Sequence, residues 1–332
     1  MDLLWDAVRV LAIFAGVMNL VPFLVLAERR ISAWIQNRVG PNRVGPGGLL
    51  QPVADVVKLL FKEEIIPARA DKVLYSLGPL LAFAPAAIAF SVIPVGRGLQ
   101  IADMSVGLLF VITATSLAVY GISFGGWASN NKFSLLGGLR SSAQIISYEI
   151  AMGLSLISVI MTMGTVSLSE IASGQSNFFA WNIFRQPLAF VIFFIAAFAE
   201  NNRLPFDLPE CEPELVGGYH TEYSGMKFGM YFLGEYVAMI VMSGMVVTLF
   251  LGGWSPGFPL PDGHLWTAVS VLTFAAKLGL VLFFYIWVRW TLPRFRYDQL
   301  MKLGWKGLVP LAMANIVATG VVVTLWDAVR TR

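Results

Sequence analysis

Long apolar runs, recurring from end to end, constrain this chain more than any motif in it. Hydropathy places them at about 7–27, 73–94, 103–124, 144–166, 187–200, 227–251, 268–290 and 307–326. A helix needs roughly 20 apolar residues to cross the hydrocarbon core of a bilayer. Composition agrees, at 57% hydrophobic and 13% charged, far from the balance of a soluble globular domain. The expected fold is an all-α polytopic membrane protein of about eight transmembrane helices. It forms a single transmembrane domain over 1–332, without internal repeat or low-complexity tract. The segment Met1–Asp6 is acidic and lacks the basic flank and small-residue cleavage site of a signal peptide, so the first helix is expected to be retained. Cys211 is the only cysteine and excludes an internal disulfide.

Basic residues orient the bundle. The connection after the first span carries Arg29, Arg30, Arg38, Arg43, Lys58, Lys62, Arg69 and Lys72. Later odd-numbered connections add Lys132, Arg140, Arg203, Lys227, Arg289, Arg294, Arg296, Lys302 and Lys306, which makes 17 of 23 basic residues. Arg9, Arg97, Arg185, Arg330 and Arg332 fall on the other side. The positive-inside bias therefore expects odd connections in the cytoplasm, or in the matrix of a mitochondrion, and both termini outside. A net charge of +3, carried beside spans, gives no reason to expect nucleic acid.

The first basic connection has structure of its own. "RVGPNRVGPGG" is a run of Gly and Pro turns that should fix a backbone path. No strand precedes it and no GK[ST] follows, so it is not a nucleotide loop. In "LLQPVADVVKLLFKEE", Leu49, Val53, Val56, Val57 and Leu60 recur at helical spacing, opposite Gln51, Asp55, Lys58 and Lys62. Pro52 suits a first helical turn. The segment is too short and too charged to span, so it is expected as an interfacial amphipathic helix between the first two spans. It could serve as an anchor or as the rim of an opening for an amphiphilic substrate.

Ionisable groups inside apolar runs are costly and usually face a polar interior. Glu149 is expected some five residues inside the fourth span, Glu235 some eight residues into the sixth, and Lys277 near the middle of the seventh. Glu28 and Glu200 end the first and fifth. These could be ion pairs that hold helices together, with Lys277 as the partner of one glutamate. Four carboxylates against one intramembrane lysine leave an acidic excess, and such groups are natural proton carriers. His220 and His264 fall on opposite sides and no Cys/His spacing appears, so no metal is expected.

Between the fifth and sixth spans lies "AENNRLPFDLPECEPELVGGYHTEY", which holds six of the chain's twenty acids: Glu200, Asp207, Glu210, Glu212, Glu214 and Glu222. Arg203 is the lone formal positive charge among them. Pro205, Pro209 and Pro213 forbid a regular helix, and the interleaved Phe206, Leu208 and Leu215 suggest a docked loop. A negative mouth leading inward to Glu200, Glu235 and Glu149 would concentrate and relay protons.

These stretches resemble one family of membrane proteins in respiratory complex I, known as the H subunit in bacteria and as subunit 1 in mitochondria. The resemblance rests on "AERRISAWIQNRVGPNRVGPGGLLQPVADVVKLLFKE", "SAQIISYEI", "AENNRLPFDLPECEPELVGGYHTEYSGMKFGMYFLGEY" and "RWTLPRFRYDQLMKLGWK", which fall in family order across Ala27–Lys306. It implies a place beneath a peripheral arm that carries FMN and iron–sulfur clusters, beside small and antiporter-like membrane subunits. It also implies a ubiquinone chamber shared with two peripheral subunits and entered from the lipid through this chain. By resemblance Glu28, Arg29, Arg38, Asp55, Lys58, Phe228, Arg289 and Arg294 lie along or near the quinone route. The family's acidic loop corresponds to Asp207, Glu210, Glu212, Glu214 and Glu222, and its buried glutamates to Glu149, Glu200 and Glu235. No cluster-binding cysteines and no dinucleotide fingerprint occur, so this chain is expected to bind no cofactor of its own.

Three other readings compete. A free-standing cation transporter would use the buried carboxylates and Lys277, but docked Gly/Pro-rich loops favour a partner-dependent protein. A related membrane subunit of a hydrogenase or another quinone- or ferredoxin-linked reductase shares the same module. A purely structural anchor would leave many charges in costly places.

Overall fold

The computed structural model describes residues 2–259, 261 and 263–330; the side chains of residues 2–9, 12, 212, 213, 327 and 330 lie outside that description. Arg332 and the side chains of Arg9, Arg330 and Glu212 therefore fall outside it. Among the described residues there is no strand, and the chain runs α1 (Asp2–Ile35), α2 (Gln51–Phe61), α3 (Lys72–Ala89), α4 (Gly107–Ala128), α5 (Lys132–Met163), α6 (Leu168–Ser173), α7 (Asn182–Arg185), α8 (Pro187–Glu200), α9 (Glu212–Leu215), α10 (Gly225–Phe250), α11 (His264–Thr291), α12 (Tyr297–Lys302) and α13 (Val309–Arg330). A π-helical stretch, Leu303–Leu308, joins α12 to α13.

Six helical stretches among the described residues are long and apolar enough to cross a bilayer: Lys72–Val92, Gly107–Ala128, Lys132–Met163, Gly225–Phe250, His264–Thr291 and Tyr297–Trp326. The first expected span falls on α1, a helix of 34 residues. The fifth falls on α8, whose 14 residues rise only about 21 Å. The fourth helix starts well before its expected apolar run, because the polar stretch from Lys132 is helical too. Its glycines explain why: a Cβ on Gly137 would lie 2.6 Å from the Tyr219 nitrogen, and one on Gly126 of α4 2.6 Å from the Ser134 carbonyl. Close backbone approach, not hydropathy, extends α5, and it puts Glu149 seventeen residues from the helix start rather than near an end.

The central helix is α10, in which every residue from Met239 to Phe250 is buried. Small residues also bring α3 onto α4, where a Cβ on Gly121 would meet the Ala82 nitrogen at 2.3 Å. In lipid, where apolar burial drives helix association weakly, such close packing is a main source of cohesion. The amphipathic segment forms α2 as expected, with Pro52 in its first turn. Its apolar side is turned outward, exposing Val53, Val57 and Leu60, while Asp55 accepts a hydrogen bond from Arg29 of α1 at 2.7 Å.

Candidate functional site

The Pro-rich connector 201–224 is docked, with Phe206, Leu208, Leu215 and Tyr219 all buried. Gln144 of α5 holds its start: the amide nitrogen lies 2.7 Å from the Ala199 carbonyl, 2.8 Å from that of Phe206 and 3.1 Å from Asn202 Oδ1. Asn202 takes a left-handed conformation, φ 50°, which Asn tolerates better than most residues. That turn sends Arg203 inward.

Arg203 becomes the hub of a buried cluster. Its Nη1 donates to both oxygens of Glu28 at 2.9 and 3.1 Å, and its Nε lies 2.5 Å from Glu235 Oε1. The guanidinium stacks 4.4 Å from the centre of the Tyr236 ring, and the Tyr236 hydroxyl donates to Glu28 Oε2 at 2.6 Å. Arg289 of α11 donates to Glu28 Oε1. Two carboxylates and two guanidiniums thus balance on paper, as buried charges must. In the ion-pair reading Lys277 is the partner of one glutamate, but here Arg203 and Arg289 take that place. Lys277 donates instead to the backbone carbonyls of Leu251, Gly253 and Ser255.

Beside the hub, at Glu235, lies a small cavity of about 50 Å³ whose largely apolar wall of Ala82, Ala86, Ile122 and Ile145 also carries Glu200, Glu210, Glu235, Asn201, Asn202 and Tyr219. One water needs roughly 10–15 Å³ by this measure, so a few fit. Glu200 Oε2 is buried without a hydrogen-bond partner among the described residues, an orphan that such water would satisfy. Glu149 lies outside the cavity wall: it accepts a hydrogen bond from Ser116 of α4 and is near enough for its charge to act on Glu200.

The connector acids divide by surroundings. Asp207 accepts from Arg294 Nη2 at 2.6 Å; burial still holds its carboxyl above the usual range, with Arg294 opposing. Arg294 also reaches the buried Cys211 thiol, at 3.3 Å. Glu210, half-buried and facing the negative charges of Glu235 and Asp207, is raised above an ordinary carboxylate, burial being the larger cause. It stands 3.8 Å from His220 Nδ1, and burial lowers that imidazole to about 4. Burial thus disfavours the charged form of both partners. Glu214 is paired with Arg140 at 2.7 Å, which lowers its carboxyl. Glu222 accepts from Asn131 at 2.5 Å.

Between α1, α2 and α10 lies a mostly apolar cavity of about 280 Å³ whose walls include Val21, Val25, Val56, Leu59, Met226 and Phe232. Arg29, Asp55, Lys58 and Phe228 also line it. Phe232 packs on Tyr236, ring centres 5.0 Å apart, and so connects this wall to the hub. The residues placed near one route by resemblance thus fall in three places: these four at the cavity, Glu28, Arg289 and Arg294 in or beside the hub, and Arg38 on the exposed loop, donating to Gln36 at 2.6 Å. Arg203 was legible in the sequence as the single cation among six acids, yet its inward course required the Asn202 turn.

The model of the NADH dehydrogenase family matches residues 8–320. The second of the NADH-quinone oxidoreductase H subunits of Geobacter sulfurreducens is 52% identical over 329 residues, covering 96% of this chain and 97% of its own. The first of those of Geobacter metallireducens is 52% identical over 334 residues, with 98% of each chain covered. NADH-quinone oxidoreductase subunit 8 of Rhodothermus marinus is 50% identical over 339 residues, with 98% and 99% covered. With likeness of this degree over nearly its whole length, the chain belongs to the family of NADH-quinone oxidoreductase H subunits.

Proposed function

We propose that this chain works as the membrane subunit of a proton-translocating NADH:quinone oxidoreductase, forming the quinone entry path and part of the quinone chamber with peripheral subunits. It couples quinone reduction to proton movement through buried glutamates. Quinone is the substrate, and FMN and iron–sulfur clusters belong to partner subunits. The odd connections face the cytoplasm of a bacterial inner membrane (or the matrix, in an organelle), and both termini face the other side.

One observation carries the reading. A mostly apolar cavity between α1, α2 and α10 reaches the Arg203 cluster through the contact of Phe232 with Tyr236, and a small cavity walled by three carboxylates reaches it at Glu235. Quinone enters past Val21, Val25, Phe228 and Phe232, with Arg29, Asp55 and Lys58 at the headgroup level of the rim. Reduction to quinol takes two electrons from a partner's cluster and two protons. Proton demand changes the charge of the connector at Asp207 and Glu210. Glu235 and Glu200, across the same cavity, respond to that field, and Glu149 responds through Glu200. Glu214 and Glu222 add negative potential on the connector.

Glu28 has a different part. With Arg203, Arg289 and Tyr236 all on its two oxygens, it is a fixed anion that anchors the hub rather than a carrier. The test is photo-crosslinking of a quinone analogue in the intact complex, mapped by peptide. Label should appear on the α1, α2 and α10 peptides that line the apolar cavity, and label confined to other subunits removes the quinone part.

A further inference from the structure

At the end of α10 remote from Arg203, the chain builds a second polar centre that the proton route does not use. After Phe250 the backbone turns through Gly252 and Gly253, both left-handed with φ of 76° and 51°. The Gly253 amide donates back to the Val247 carbonyl at 2.8 Å, which closes the helix. This turn aims three alternate carbonyls at one point, and Lys277 Nζ occupies it, 2.5 Å from Leu251 O, 3.1 Å from Gly253 O and 2.5 Å from Ser255 O. The Trp181 ring covers the ammonium, its centre 4.2 Å away, a favourable cation–π position. The glycines are required here: a Cβ on Gly252 would fall 2.2 Å from Trp181 Nε1.

Three inward carbonyls and an aromatic face make a site for a monovalent cation, since carbonyl dipoles replace a hydration shell. The ammonium spends all three of its protons on the carbonyls, which leaves none for a carboxylate. We propose that Leu251–Ser255 with Trp181 is a monovalent-cation cage of ammonium and potassium size, filled by Lys277 as a tethered occupant, and that this rivet fixes the end of α10. Lys277 is then a positioning residue. Ser255 also lines a cavity of about 410 Å³ whose wall carries one cation and one anion, Arg97 and Glu170, beside Ser173 and Trp254, and this is the way in for a free cation when the lysine is gone.

The experiment uses the whole complex carrying Lys277→Ala, purified in N-methylglucamine chloride and then titrated with potassium, methylammonium or lithium chloride at constant ionic strength. The thermal unfolding midpoint of the variant should fall by several degrees. Potassium and methylammonium should restore at least half of that loss saturably, lithium should not, and the parent complex should respond to none. Equal midpoints in all four salts would overturn the proposal. If Lys277→Ala does not assemble, Lys277→Gln and Lys277→Leu are compared. The amide still offers two N–H groups to the carbonyls and should assemble, whereas Leu should not; equal assembly overturns the cage. The midpoint reads the cage without reference to proton coupling. Potassium carries no proton, so its rescue of coupled turnover would also assign Lys277 to positioning and not to a relay.

Discussion

Arg203 places Nη1 2.9 Å from Glu28 Oε1 and Nε 2.5 Å from Glu235 Oε1, so one guanidinium ties α1 to α10. Removing one partner of a buried pair typically costs about 3–5 kcal/mol, because the other charge is left alone. Glu28 keeps Arg289 and Tyr236; Glu235 has no comparable second cation among the described ion pairs. In Arg203→Gln, the amount of assembled complex on native gels should fall at least several-fold. Adding Glu235→Gln to that variant should recover more than half of it. Failure of the second substitution to recover any complex would contradict this division of charge.

Glu149 and Glu235 differ in surroundings and should differ in phenotype. Glu149 accepts from Ser116, and an amide oxygen can still accept, so Glu149→Gln should assemble normally. Its proton-to-electron ratio in vesicles should drop by half or more if it serves as a carrier. Glu235→Gln leaves Arg203 with Glu28 and should cost some assembly as well as pumping. Full pumping by an assembled Glu149→Gln complex would remove Glu149 from the route.

The bundle, the amphipathic α2 and the acids of the connector were legible because hydropathy and charge are local properties of the chain. The start of α5 was not, since glycine-to-backbone approaches at Gly126 and Gly137 belong to pairs of helices and leave no mark on a hydropathy profile. Charge pairing was legible only as a count. The sequence offers Lys277 as the cation nearest the middle of a span, yet carbonyls from a two-glycine turn engage it. Arg203 and Arg289, both at span ends in the sequence, do the neutralising. Pairings across long separations, such as Arg203 with Glu28, cannot be read from spacing.

Glu210 and His220 give opposite pH slopes. The folded imidazole titrates at about 4 against roughly 6.5 unfolded. Between those values the unfolded chain holds the extra proton, so His220 removes stability as pH falls from 6.5 to 4, by up to about 3 kcal/mol. Glu210 is raised, so the folded chain holds the extra proton above the unfolded carboxyl's value, and stability falls as pH rises there. The slopes oppose each other between about 4.5 and 6.5. Glu210→Gln should therefore expose the histidine slope, with a thermal midpoint that drops on acidification from 6.5 more steeply than the parent's. His220→Gln should show the reverse, a midpoint that declines as pH rises above 4.5. Parallel curves for all three would refute the pairing.

Close packing of α3 on α4 should be intolerant of a single methyl. A Cβ at Gly121 would lie 2.3 Å from Ala82 N and 2.7 Å from the Leu81 carbonyl carbon, where only backbone can yield, so Gly121→Ala should reduce assembled complex severely. Gly153 on α5 has nothing within 4 Å of its Cβ position. There the same substitution should be neutral or slightly stabilising, by up to about 1 kcal/mol from helix propensity. The comparison is read as complex yield at equal expression, and similar losses at both positions would deny that backbone contact sets the spacing.

The apolar cavity can be narrowed without touching the hub. Gly229 lines it, and a Cβ there would stand 3.1 Å from Leu59 Cδ1, so the branched side chain of Gly229→Val must push Leu59 aside or fill the space between α2 and α10. Gly229 lies six residues from Glu235 along α10, and the cavity wall there is Leu59, Met226 and Phe232, so the ion-pair cluster should stay intact. If quinone passes this way, the apparent KM for a membrane-soluble quinone should rise several-fold. NADH oxidation by a hydrophilic acceptor that draws electrons before the quinone step should be unchanged, which separates a narrowed path from damaged assembly. An unchanged KM in an assembled Gly229→Val complex would mean that quinone reaches its site by another opening, and the cavity would then be a lipid-filled gap beside α2.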